Sequence, residues 1–125
     1  MNLNQITINV FDVEKSIEFY EKLGLKLIVR SLPNYARFEC PNGEATFSLK
    51  RSENLSSKNG TVIYFEVSQL DDRIDELIKN GFVFDELPTD KPWLWREAHL
   101  TDSDNNQIVI YHAGENRKNP PWRII

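Results

Sequence analysis

Residues 6–24, ITINVFDVEKSIEFYEKLG, recur in degraded form as residues 63–81, IYFEVSQLDDRIDELIKNG. The offset is constant and needs no gap. Ile6 aligns with Ile63, Val10 with Val67, Val13 with Leu70, Ile17 with Ile74, Tyr20 with Leu77 and Gly24 with Gly81. Each copy reads as a strand, a turn, an amphipathic helix and a glycine stop. Two such copies predict a domain with pseudo-two-fold symmetry, whose functional site lies between the halves.

The rest of the chain fits around these copies. Ile6, Ile8 and Val10 alternate with Gln5, Thr7 and Asn9, the period of a half-buried strand. Asp12 is placed to cap the first helix, and Gly24 to end it. Strands are expected over 25–30, 35–40 and 44–50, the last two joined at Pro41-Asn42-Gly43. The polar stretch 52–60 reads as the linker. In the second copy Ile63, Phe65 and Val67 share one strand face, and Val62, Tyr64 and Glu66 the other. Its helix turns Leu70, Ile74, Leu77 and Ile78 to one side. A strand is expected over 82–84, a loop over 87–93 with its two prolines, and strands over 95–101 and 107–112. From Gly114 an extended tail is expected, with Trp122 buried as the tail docks across the body or onto a second subunit, and Pro120-Pro121 barring helix or central strand. The order is βαβββ, twice: an α+β chain in which helices cover the outer, apolar strand faces and a mixed, strongly curved sheet turns polar faces around a central cleft.

Bulk properties narrow the function classes. A length of 125 residues is that of one domain, with modules over about 3–51 and 61–113 and a tail over 114–125. The single cysteine, Cys40, has no partner for an internal bridge and fits a reducing, cytoplasmic setting. No signal peptide or membrane-spanning run is visible. A net charge of -4 argues against nucleic acid or an anionic membrane as partner.

Three stretches carry a family resemblance: LNQITINVFDVEKSIEFYEKLGLKL, VIYFEVSQLDDRIDELIKNG and LTDSDNNQIVIYH. In this order and spacing, residues 3–113 resemble the vicinal oxygen chelate superfamily, which includes glyoxalase I, extradiol dioxygenases, fosfomycin-resistance enzymes and bleomycin-resistance proteins. Residues 102–106, DSDNN, resemble the family's Asp-Pro-Asp-Gly-Asn turn, with Ser103 for the proline and Asn105 for the glycine. The resemblance implies a homodimer, and a divalent metal in the metal-dependent members. The family's ligand positions fall on Gln5, on Ser48 (or Phe47 if counted without a gap), on Val62 and on Val109. Valine offers no lone pair, and an amide is a weak neutral ligand. No metal cofactor at the usual site is therefore expected.

Other residues remain as candidates for chemistry. Trp95, Glu97 and His99 share one strand face. Glu97 and His99 would act as general base and orienting group, as ligands of a displaced metal, or as a polar wall. Glu66 and Arg37 should face the same space, with Arg37, Lys50 and His99 as partners for the two glutamates. That set reads either as an internal salt-bridge network or as a site for a ligand with an ionised group. Tyr64, Trp93, Trp95 and Tyr111 supply flat apolar walls or ordinary packing. His112, on the face opposite Tyr111, reads as structural, and the acidic turn 102–106 as a hairpin rather than a calcium loop.

Three expectations follow for function. The first is a binding protein for a small polar or aromatic molecule in the cleft. The second is a lyase, isomerase or dioxygenase-like enzyme built on Glu97 and His99, assisted by Gln5 and Glu66. A third is a domain whose cavity is filled by its own side chains and which serves through protein contacts.

Overall fold

The computed structural model of the chain describes residues 1–54 and 61–124. The linker expected over 52–60 therefore falls largely outside the described residues. The elements run β1 (Gln5–Val10), α1 (Val13–Leu23), β2 (Lys26–Ser31), β3 (Tyr35–Glu39), β4 (Thr46–Arg51), β5 (Val62–Glu66), α2 (Leu70–Lys79), β6 (Glu86–Asp90), β7 (Arg96–Thr101), β8 (Gln107–His112) and a short 3-10 turn, Gly114–Arg117. This is βαβββ, twice. The chain divides into two compact units: Met1–Asn59 with Asp102–Asn105, and Gly60–Thr101 with Asn106–Ile125.

The first unit holds a four-stranded mixed sheet in the order β1-β4-β3-β2, with β1 parallel to β4 and the other pairs antiparallel. Its helix starts where Asp12 accepts the Lys15 amide at 3.1 Å, a cap of about 0.5–2 kcal/mol. It stops at Gly24, whose φ of 119° is left-handed and suits a residue without Cβ. Val13, Ile17, Tyr20 and Leu23 are buried at helical spacing. They pack toward Ala36, Phe38, Phe47 and Leu49, which are also buried. Each fully buried apolar side chain contributes about 1.5–3 kcal/mol. Ile6 is more exposed than its pattern predicts, at 37%, because β1 is an edge strand.

The turn at 102–105 belongs to this unit. Tyr20 donates its hydroxyl to Asp102 Oδ2 at 2.6 Å, and the Asp104 amide donates to Asp102 Oδ1 at 2.9 Å. Asp104 in turn accepts the Phe11 amide at 3.3 Å. Burial, with the Asp102 carboxylate beside it, pushes the Tyr20 hydroxyl far above the usual phenol range. Asn105 has φ 63°, and its amide donates to the Asp102 carbonyl at 3.1 Å. Asparagine is among the few non-glycine residues that tolerate this region. The segment is the tight turn expected from the sequence.

The second unit repeats the arrangement, in the order β5-β8-β7-β6, with β5 parallel to β8. Helix α2 buries Leu70, Ile74 and Leu77, while Ile78 stays exposed. The helix side of the sheet is apolar: Ile63 lies opposite Ile108, which lies opposite Leu100, and Phe65 opposite Ile110, opposite Ala98.

Two expectations are corrected here. Residues 82–84 are not a strand; the strand is Glu86–Asp90, which overlaps the stretch 87–93 expected to be loop. It carries Pro88, which an edge strand with a register irregularity between Glu86 and Thr89 tolerates. The tail is not extended throughout, since Gly114–Arg117 forms the 3-10 turn, and Trp122, 57% exposed, is not buried within this chain.

Candidate functional site

In the second unit, strand alternation puts Val62, Tyr64 and Glu66 of β5 on the face opposite the helix. Val109 and Tyr111 of β8, and Glu97 and His99 of β7, share that face. The register aligns them in rows. Tyr64 lies opposite Val109, Val109 opposite His99, and His99 opposite Glu86. Glu66 lies opposite Tyr111, Tyr111 opposite Glu97, and Glu97 opposite Thr89.

The most closely knit group on this face is Trp93, Glu97 and His99. Glu97 is 2% exposed. Trp93 Nε1 donates to Glu97 Oε2 at 2.6 Å, and His99 Nε2 lies 2.8 Å from Glu97 Oε1. An ionised carboxylate only accepts, so this contact fixes Nε2 as the donor nitrogen of His99. In the neutral imidazole Nδ1 then keeps a lone pair, on a side chain that is 37% exposed. Beside it, the Glu86 carboxyl is held below its usual range by its hydrogen bond to Lys91.

Next to this group stand three aromatic rings. Trp95 and Tyr111 stack, with centroids 4.7 Å apart and planes 19° apart. Tyr64 meets both edge-on, at 5.9 and 5.6 Å. Val62 and Trp95 pack on Val109, Tyr111 and Ala113. Trp95 Nε1 also donates to the Asn116 carbonyl at 3.3 Å, which ties the 3-10 turn to the aromatic group. Tyr111 is buried, and burial raises its hydroxyl pKa, with Glu66 adding to the effect. Tyr64 is 49% exposed and Trp93 45%.

Glu66 is partnered otherwise than the sequence reading expected. Its Oε2 accepts the amides of Ala113 and Gly114, both at 2.8 Å, and Arg117 Nε lies 3.7 Å from Oε1. His99 meets Glu97 instead. The reason is local: the chain turns past Glu66 directly after β8, and exposed amides there take its oxygens. Glu66 thus anchors the tail. His112 Nδ1 lies 2.9 Å from the Val67 carbonyl, the structural role expected for it.

In the first unit the equivalent face carries Gln5, Ser48 and Arg37. Ser48 is fully buried. Gln5 Nε2 donates to Ser48 Oγ at 2.8 Å, and Tyr35 OH is 2.7 Å from the same oxygen. Arg37 Nε donates to Tyr35 OH at 2.9 Å. Thr46 donates to Gln5 Oε1. Tyr35, not among the candidate residues named from the sequence, joins Arg37 to Ser48. Its place was readable from alternation with Arg37 two residues on. Arg37 lies opposite Ser48 as His99 lies opposite Val109. The two sheets thus carry a hydrogen-bonded pair at the same strand positions, Tyr35 with Arg37 in one and Glu97 with His99 in the other.

The positions that would hold the superfamily's divalent metal do not fit one. Val109 is 1% exposed and apolar, Val62 is half-buried and apolar, and the Gln5 amide is engaged by Ser48 and Thr46. Among the described residues no three His, Cys, Asp or Glu side chains are grouped to hold an ion. Dications need imidazole, thiolate or carboxylate donors. No helix among the described residues is long and apolar enough to cross a membrane.

Known proteins share this fold. Residues 2–110 match the family described as Glyoxalase/Bleomycin resistance protein/Dioxygenase superfamily. The uncharacterized protein YraH of Bacillus subtilis (strain 168) is 33% identical, over 89% of this chain and 98% of the relative. A trivalent organoarsenical cleaving enzyme of Bacillus sp. (strain MD1) is 26% identical, over 97% of this chain and 81% of the enzyme. Among solved structures, a glyoxalase/bleomycin resistance protein/dioxygenase from Nocardioides superposes with a TM-score of 0.81 at 21% identity, covering all of this chain and 90% of that one. A bleomycin-binding protein complexed with bleomycin superposes with a TM-score of 0.72 at 14% identity, covering 90% of this chain and 98% of that one. The repeated βαβββ order and the match over most of its length place this chain in the Glyoxalase/Bleomycin resistance protein/Dioxygenase superfamily.

Proposed function

We propose that the protein binds a small polar or aromatic molecule, without the usual divalent metal. The observation that carries this reading is the Tyr64, Trp95 and Tyr111 group beside the buried Glu97 and its two hydrogen-bond partners. Small-molecule sites combine aromatic walls with a few fixed polar groups of this kind. A protein of this fold complexed with bleomycin supports the reading. Trp93 and Tyr64 are exposed enough to meet one, and Val109 forms the apolar floor between Tyr64 and His99. The test is a small-molecule screen by thermal shift, followed by tryptophan fluorescence titration. A ligand that binds only the folded chain raises the midpoint. Expected is saturable quenching that Trp95→Ala weakens; no ligand in a broad polar and aromatic set would end the reading.

A second reading is favoured by one specific feature, the buried carboxylate that orients a half-exposed imidazole. That is the arrangement of an orienting group and a general base. Here His99 Nδ1 would take a proton from a bound substrate, as in a lyase or isomerase, and Glu97 would stabilise the imidazolium. Elemental analysis separates a metal-dependent version of this enzyme from the first reading: bound nickel, zinc, iron or manganese that is lost in His99→Ala would favour the enzyme. The organoarsenical cleaving relative raises another chemistry. Soft centres prefer thiolate ligands. The single thiol here, Cys40, is half-buried, and burial raises its pKa, so it is a poor donor.

The superfamily resemblance supports a homodimer, and a free, half-buried cysteine fits the cytoplasm. Sedimentation equilibrium tests the first, since a single species of monomer mass would remove it.

A further inference from the structure

The polar face of the β1-β4-β3-β2 sheet carries cations that, among the described residues, form no ion pair with an acid. Ser48 and Lys50 lie on this face of β4, with Tyr35 and Arg37 beside them on β3. Arg37 donates through Nε to Tyr35 OH, and its guanidinium carbon is 5.5 Å from the Tyr35 ring centroid. Tyr35 OH is held in turn by Ser48 Oγ, which is fully buried and also accepts from Gln5. The guanidinium is thereby fixed at one edge by a hydrogen-bond chain that ends in the core. Among the described residues its two terminal amino groups, Nη1 and Nη2, meet no hydrogen-bond acceptor, and they form the fork that matches an oxyanion.

The charge balance sharpens the point. The chain has 19 acidic residues to 15 basic ones. Arg30, Arg51, Arg73, Arg96 and Arg117 each meet a carboxylate. Among the described residues, neither Arg37 nor Lys50 forms an ion pair, and Glu39, the acid of β3 on this face, is taken by Lys26 at 3.4 Å. Among the described residues Arg123 also meets no acid, but its guanidinium is held by the Lys118 carbonyl and Asn119; Arg37 is instead fixed at one edge by Tyr35, an arrangement that suits an anion from outside.

We infer that Arg37, held by Tyr35 and Ser48 and flanked by Lys50, is an oxyanion site that takes the carboxylate, phosphate or phosphonate group of a small molecule. Thr7, opposite Ser48 on β1, borders it with a neutral hydroxyl. The site belongs to the first unit, whereas every tryptophan lies in the second, so it stands independently of the aromatic reading.

The experiment is isothermal titration calorimetry at low ionic strength, where screening is weak. The probes are inorganic phosphate and benzoate, with uncharged benzamide as control. Expected is saturable binding of at least one anion, weakened about tenfold or more by Arg37→Ala, as for loss of a charge-assisted hydrogen bond. Lys50→Ala should weaken it less. Arg30→Ala, which removes an arginine already paired with Glu14, should leave it unchanged. The affinity for benzamide should be the same in wild type and Arg37→Ala. Absence of saturable binding by both anions, or equal binding by a folded Arg37→Ala protein, would overturn the site. Circular dichroism of each variant shows whether it is folded. A failed anion test with intact tryptophan quenching leaves the aromatic site standing, and the reverse result leaves the oxyanion site.

Discussion

Trp93 Nε1 reaches back across four residues to Glu97 Oε2, 2.6 Å away, and so places a half-exposed indole over a carboxylate that is 2% exposed. Between them, Leu94 takes a left-handed φ of 68° and its amide donates to the Lys91 carbonyl at 3.0 Å, which closes the β6–β7 connection. The bend of this connection supplies one partner of Glu97, and the strand supplies the other, His99.

Trp93→Phe keeps the ring and removes the donor. Glu97 then loses one hydrogen bond in a buried setting, at a cost of about 1–3 kcal/mol. Urea unfolding measures it. In a Glu97→Gln background the loss should shrink, because a neutral amide is less demanding, and the double-mutant cycle gives the coupling. Equal losses in both backgrounds would show that the indole acts by packing alone.

The Tyr20 hydroxyl and Asp102 join a helix to a turn 82 residues away in sequence. Tyr20→Phe should lower stability by about 1.5–3 kcal/mol, the range for a hydrogen bond to a charged group. Thermal unfolding of the variant checks this. An unchanged midpoint would mean that the turn is held without the phenol.

Asn105 holds φ 63° within the 102–105 turn. Asn105→Gly should leave stability within about 1 kcal/mol of wild type, while Asn105→Ala should lose about 1 kcal/mol from left-handed strain. The comparison of the two midpoints is the readout. Alanine as stable as glycine would count against the strain argument.

Burial raises the Asp104 carboxyl above its ordinary value of 3.8, with Asp102 and Asp12 adding to it against the Phe11 amide. A carboxyl whose folded pKa is raised binds its proton more tightly in the folded chain. Its contribution therefore favours the fold below 3.8 and is lost as pH rises through the folded value. Asp104→Asn, which keeps an acceptor for Phe11, should thus gain stability relative to wild type as pH rises through that window. Chemical unfolding at a series of pH values tests the sign, and a relative gain on lowering the pH would contradict it.

Much of the architecture was legible because its signals are local. The two-residue period of Gln5–Val10 and Val62–Glu66 and the helical spacing of Val13, Ile17 and Tyr20 report which face each element buries. Asp12 and Gly24 mark helix ends through the hydrogen bonds and backbone angles those ends require. Strand alternation likewise put Glu97 and His99 on one face, and the structure shows their side chains in contact.

What only the tertiary structure decided are the pairings. The position of β6 over Glu86–Asp90 follows from its being an edge strand, where a proline costs no ladder bond; the sequence pattern alone favours the apolar run 82–84. Glu66 is satisfied by the amides of Ala113 and Gly114, and Asp102 by Tyr20, because the fold carries those groups to within bonding distance. A sequence states which side chains have lone pairs and protons to offer. Which of them meet depends on the register between strands far apart in the chain, and that is set by the packing of the whole.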